Sequence, residues 1–302
     1  GALSAARDNV VLVPTYFGGR SEDHLFMLGT YVDTTRHHVV IVDALGDGAS
    51  SSPSTVAAGR EAFAGLTIAD MVVAQHRLLT EHLGIRHLRA VVGISMGGFQ
   101  AFEWAVRYPT MMDVVVPIVG TPSVTTHDRL VYAMGRGIAE EGSRPGAEPD
   151  SAWRRASRWE AAFMRTPRFV TDSGDAHLAR TVDELAESYR SAGWSLADYA
   201  AQLRALEAHD VAAPSGGNLW RAASAVRARM LVVWSPDDRM VAPAPAATFA
   251  RLVGADTLAV PSACGHAVYA CEAARIGAVV RAVVARAPRG VHAAAARRGR
   301  AR

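Results

Sequence analysis

Gly93-Ile94-Ser95-Met96-Gly97-Gly98 sets a serine between glycines two positions to either side, directly after the apolar run Ala90–Val92 and before a helical pattern through Ala101, Trp104, Ala105 and Tyr108. A serine on a sharp strand-to-helix turn needs small neighbours there, because the backbone passes through strained angles and presses against adjacent elements. The helix that begins at such a turn aims its first amides and the positive end of its dipole at the reaction centre. The chemistry suggested is nucleophilic acyl transfer through a covalent serine intermediate. Alone, the motif also fits a glycine-rich turn with a capping serine, so the partners decide.

A serine nucleophile needs a base, and the base needs a carboxylate to orient it. Folds built on this motif supply them in chain order Ser, Asp, His, after later strands. Asp237 and Asp238 follow the run Met230–Trp234, with Val241 and Pro243 just beyond. That spacing selects Asp238 as the orienter and leaves Asp237 as an exposed turn residue, although both also suit a plain turn. Ser262-Ala263-Cys264-Gly265-His266 follows Thr257–Val260, which makes His266 the base. His37, His38, His76, His82 and His87 read as solvated or structural, while His127 and His209 fall in a separate helical region. For the oxyanion, the amide after the nucleophile is that of Met96, and the loop Val13-Pro14-Thr15-Tyr16-Phe17-Gly18-Gly19 offers a second amide, assigned to Tyr16.

The elements that must hold these groups alternate as an α/β chain should. Val10–Val13, Val39–Val42, Ala90–Gly93, Val114–Ile118, Met230–Val233 and Thr257–Val260 read as buried strands, the pattern of a mostly parallel sheet flanked by helices. Between the second and third, Ile68, Met71, Val72, Gln75, Leu78, Leu79 and Leu83 recur at helical spacing and Gly84 offers a stop. Residues 121–224 break the rhythm, with helical segments at Asp128–Glu141, Ser151–Arg165, Ala176–Ala192 and Ser195–Asp210. The expected organisation is a sheet core at 1–120 and 225–290, an inserted helical lid at 121–224, and a disordered basic tail at 291–302.

Composition narrows the function classes. In 302 residues with a formal charge of +3 there is no lysine, so all 32 basic residues are arginine, a bias of composition rather than a binding stripe. The tail arginines Arg297, Arg298, Arg300 and Arg302 have no interleaved aromatic to stack on bases, so no nucleic-acid partner is expected. No apolar run approaches the roughly 18 residues of a membrane span, and no signal peptide is visible at the N-terminus. Cys264 and Cys271 bracket His266 without a metal-ligand spacing, and a reduced, cytoplasmic protein is expected.

The chain resembles the homoserine O-acetyltransferase family of the α/β-hydrolase superfamily, particularly its hydrolase-like branch. The resemblance rests on Pro14-Thr15-Tyr16-Phe17-Gly18-Gly19, on the segment from Leu45 to Ser54, on Gln75 to Ile85, and on Ser95 to Pro109 with Gln100 and Trp104. It covers most of residues 8–120 and the two later loops, and is poor across the lid. It implies the α/β-hydrolase fold, the Ser95, Asp238, His266 triad, and no metal or bound cofactor. Two departures stand out. Family members usually open with additional antiparallel strands, which implies either a sheet short at one edge or a missing N-terminal piece. Acetyltransferases acting on homoserine usually carry an aspartate immediately after the histidine, where this chain has Ala267.

The function expected is therefore hydrolysis of small, short-acyl carboxylic esters through an acyl-enzyme. The alternative is O-acyl transfer to a small alcohol with acetyl-CoA as co-substrate; a non-catalytic ligand-binding protein of the same fold ranks third, since the whole triad is present. Partners expected are a small ester or alcohol and, compatibly, a second copy of the chain in a homodimer. Because Ala267 offers an ammonium no counter-charge, neutral substrates are favoured. Arg129, Arg154, Arg155, Arg158 and Arg165 of the lid remain available for a carboxylate.

Overall fold

The computed structural model describes residues 1–286, so the tail expected at 291–302 lies outside the described residues. Six apolar runs become strands: β1 (Val10–Pro14), β2 (His38–Val42), β3 (Leu88–Ile94), β4 (Met112–Ile118), β5 (Arg229–Trp234) and β6 (Asp256–Ala259). They form one sheet in the order β2-β1-β3-β4-β5-β6, and every pairing is parallel. All residues of β1 and β3 are buried, as expected of parallel strands covered on both faces. At one edge of the sheet, β6 is short and largely exposed, which limits the backbone it offers for stray pairing.

Helices α1 (Gly59–Ala62) and α2 (Ile68–Arg77) link β2 to β3, and α3 (Met96–Arg107) links β3 to β4. Thr67 starts α2 by a reciprocal capping box with Asp70, and the stripe Ile68, Met71, Val72 and Gln75 is its buried face. The helical pattern that continues to Leu83 in the sequence widens to a π turn over Leu78–His82.

Between β4 and β5 run α4 (Thr126–Gly142), α5 (Pro149–Met164), α6 (Pro167–Ser173), α7 (Asp175–Ser191), α8 (Leu196–Glu207) and α9 (Leu219–Ala225). Four match the expected segments within about two or three residues. The two short ones, α6 and α9, were not expected; each is started by a side-chain cap, Thr166 and Asn218 respectively. This insertion packs on the sheet core through an apolar cluster that includes Met96 and Phe99 of α3 together with Tyr132, Trp153, Trp159, Tyr199 and Leu203. Asp128 of α4 also accepts the Ala242 amide at 2.8 Å. Helix α10 (Pro243–Val253) follows β5, and α11 (Val268–Cys271) and α12 (Ala273–Arg286) follow β6. Among the described residues no helix is long and apolar enough to cross a membrane.

Candidate active site

Ser95 stands between β3 and α3 with φ 54° and ψ −120°, a conformation that few non-glycine residues adopt and that marks a strained turn. The flanking glycines explain how the turn closes. A Cβ on Gly93 would lie 1.9 Å from the Gly97 carbonyl oxygen, and one on Gly97 would lie 2.5 Å from that of Pro14. The Met96 amide is the first of α3, among those with no acceptor inside their own helix.

Three loops from the C-terminal ends of strands then converge. His266 Nε2 lies 2.8 Å from Ser95 Oγ, and His266 Nδ1 lies 2.7 Å from Asp238 Oδ2. The second oxygen of Asp238 accepts the amides of Met240 and Val241, each at 2.9 Å. Those bonds fix the carboxylate against Nδ1, which favours the tautomer with the imidazole proton on Nδ1 and Nε2 facing the serine. Asp237 is exposed and instead accepts the Ser262 amide at 3.1 Å. The choice between two adjacent aspartates is thereby resolved geometrically: Asp238, and not Asp237, meets His266.

The second oxyanion amide departs from expectation. Tyr16 donates its amide to His24 Nε2 at 3.0 Å, while His24 Nδ1 bonds the Arg20 carbonyl at 2.8 Å. Burial lowers the pKa of His24, which keeps the ring neutral and Nε2 an acceptor. The Tyr16 amide is thus occupied at rest rather than free, whereas the neighbouring Phe17 amide has no acceptor among the described residues.

The cysteines also differ from the expected reduced pair. Cys264 and Cys271 form a disulfide that encloses the turn bearing His266, and Arg165 contacts Cys271 Sγ at 3.3 Å. Bonds of this kind are commonest in proteins of oxidising compartments.

Ser95 and His266 open on a cavity of about 300 Å³ whose walls include Tyr16, Phe17, Tyr132, Trp159 and Glu160. Glu160 escaped the sequence reading. It lies on α5 in register with the buried Trp153, Ala156 and Ser157, and a carboxylate on the apolar stripe of an amphipathic helix was the available signal. The hydroxyls of Tyr189 and Tyr199 donate to its Oε1 at 2.8 and 2.5 Å, and burial pushes its pKa up to about 7. Of the arginines considered for a substrate carboxylate, Arg154 and Arg155 pair with Asp183 and Glu141. Arg165 reaches the wall of a second cavity of about 400 Å³ sharing Glu160, Met164 and Leu185 with the first. His209 is buried against Phe99, with Nε2 3.1 Å from the Thr121 carbonyl, and His127 is bound to the Arg239 carbonyl; neither lines the cavity. No cluster of three or more potential metal-ligating His, Cys, Asp or Glu residues occurs among the described residues.

Comparison with known proteins places the chain among esterases and acyltransferases of one fold. The chain is 41% identical over 135 residues to an ethyl acetate hydrolase of Pseudomonas veronii, covering 43% of the chain and 39% of that protein. It is 34% identical over 189 residues to a homoserine O-acetyltransferase of Desulfotalea psychrophila, covering 55% of the chain and 46% of that protein. The chain thus matches less than half the length of these curated relatives. Its structure superimposes on an acetylester hydrolase from Corynebacterium glutamicum with a TM-score of 0.86 at 26% identity, over 94% of this chain and 88% of the other. With residues 8–272 matched by the model of the alpha/beta hydrolase fold family, the chain belongs to that family.

Proposed function

We propose that this protein is a serine-dependent hydrolase of small, short-acyl carboxylic esters. The observation that carries the reading is the continuous hydrogen-bonded line from Ser95 Oγ through His266 to Asp238. In the forward step His266 Nε2 takes the Ser95 proton as Oγ attacks the ester carbonyl, and the tetrahedral intermediate collapses as the alcohol leaves with that proton. Water, deprotonated by the same nitrogen, then attacks the acyl-serine and releases the acid. The Met96 amide stabilises the oxyanion together with the Tyr16–Phe17 turn, where Phe17 has the unoccupied amide and Tyr16 contributes on giving up His24. The sequence of steps closes with the protein's own groups and calls for no metal or cofactor. Similarity to an ethyl acetate hydrolase and an acetylester hydrolase supports the short acyl group.

A second reading, O-acyl transfer from acetyl-CoA to a small alcohol, draws on the similarity to homoserine O-acetyltransferases. It shares the acyl-serine and differs only in whether an alcohol or water resolves it. Ala267 beside His266 is buried and apolar, which weighs against homoserine itself. The partners of either reading are small molecules. A homodimer remains part of the proposal, with the exposed Leu130 and Met134 of α4 as an apolar surface.

The test is active-site labelling combined with product analysis. An organophosphonate should give one adduct on Ser95, and Ser95→Ala should remain folded while losing at least about 10⁴-fold in turnover. Incubation with short-chain esters, with acetyl-CoA and with alcohols should yield chiefly free acid. Labelling of another residue would overturn the nucleophile, and dominant ester product would promote the transferase.

A further inference from the structure

We infer that the catalytic cavity is built for an ester whose alcohol part carries an alkylammonium group, received by Glu160 and the aromatic walls around it. This rests on the hydrolase reading above, because a short acyl group leaves most of a cavity of about 300 Å³ to the alcohol.

Three observations converge. First, Glu160 is 7% exposed and lines the same cavity as Ser95 and His266. Both of its hydrogen bonds arrive on Oε1, from Tyr189 and Tyr199, leaving Oε2 without a protein donor. Second, no ion pair joins Glu160 to a cationic side chain among the described residues. In a chain with 32 arginines, the charged or titratable side chains of the cavity wall other than tyrosines are Asp23, Glu160 and His266, and no arginine is among them. A buried carboxylate is costly unless a charge or several donors meet it, and burial without a cation is what raises this group to about 7. A bound cation supplies the missing partner and favours the ionised form. Third, the cavity that Glu160 lines is rich in aromatic side chains: Tyr16, Phe17, Tyr132, Trp159, Tyr189 and Tyr269. Ring faces attract alkylammonium groups, most strongly where water is excluded. A carboxyl holding two tyrosines in place for purely structural reasons would not call for a cation-free, aromatic wall at the nucleophile.

On this inference the counter-charge that Ala267 does not offer comes from Glu160 on α5 rather than from the residue after the histidine.

The experiment compares acetylcholine with its uncharged carbon isostere, 3,3-dimethylbutyl acetate, in the wild-type protein and in Glu160→Gln. The ratio of kcat/KM for the two esters should be at least tenfold in favour of acetylcholine, and should fall tenfold or more in Glu160→Gln. A structural role for Glu160 would lower both rate constants and leave the ratio unchanged, which overturns the inference. A wild-type ratio of one or less overturns it without any variant. If neither ester is turned over, the hydrolase reading fails and calorimetric binding of choline decides instead. Binding to the wild-type protein that is weakened tenfold in Glu160→Gln upholds the cation site, and absence of binding overturns it.

Discussion

Gln100 Nε2 donates to the Thr15 carbonyl at 3.0 Å, tying helix α3, which Ser95 precedes, to the turn that carries Tyr16 and Phe17. The same side chain accepts from Gln75 Nε2 at 2.5 Å, and Gln75 in turn accepts from Trp104 Nε1 at 2.8 Å. All three side chains are buried, so every polar atom in the chain depends on the next for its partner. Gln100→Leu is expected to cost about 1–3 kcal/mol by leaving buried groups unpaired, read from chemical denaturation. It should also lower kcat more than it raises KM, because the turn carrying Tyr16 and Phe17 loses its register to Ser95. A fall in the denaturation midpoint with no loss of kcat in Gln100→Leu would remove the positioning role.

Asp238→Asn should lower turnover on the order of 10⁴-fold, since an amide favours the wrong imidazole tautomer and stabilises the imidazolium poorly. Asp237→Asn should change turnover less than about tenfold, as its carboxylate meets only the Ser262 amide and not the ring. Steady-state kinetics on a neutral short ester measures both, and a reversed order would mean that Asp237 orients His266 in solution.

The disulfide between Cys264 and Cys271 closes a short loop around His266, and loop-closure entropy for such a loop corresponds to roughly 2–3 kcal/mol. A Cys264→Ser/Cys271→Ser double variant should unfold at lower denaturant concentration and should lose activity at temperatures where its circular dichroism is still native. Retained activity alongside a lowered midpoint would show that the turn holds His266 without the bond.

His209 should contribute an acid-labile part of the stability. It is buried, and its pKa is pushed down to about 3 by loss of hydration. Between that value and the ordinary histidine range near 6.5 the unfolded chain binds a proton that the folded chain does not, so stability falls as pH falls through that window. The slope from this one group is at most about 1.4 kcal/mol per pH unit. His209→Gln keeps a donor for the Thr121 carbonyl and removes the titration. Urea midpoints measured from pH 6.5 down to 4.5 should therefore drop less steeply in the variant, and identical slopes would exclude His209 as the source.

Local pattern was enough for the sheet and for the strained turn at Ser95. Strands buried on both faces are continuous apolar runs, and the turn at Ser95 demands glycines at fixed offsets; both signals are contained within about ten residues of chain. The triad order was legible because each partner follows its own strand. What sequence could not decide was every relation between segments far apart in the chain. Whether Asp237 or Asp238 faces His266 depends on which one the Met240 and Val241 amides grip. The occupation of the Tyr16 amide depends on a histidine eight residues on being folded back against it. The pairing of Cys264 with Cys271 depends on the turn at His266 bringing them within reach. Glu160 was the least legible, since its neighbours in α5 are ordinary and its meaning comes from Tyr189, Tyr199 and Ser95, contributed by α7, α8 and the strand-to-helix turn. The charge of a side chain is written in the sequence, whereas its desolvation and the absence of a counter-ion exist only once distant elements have packed around it.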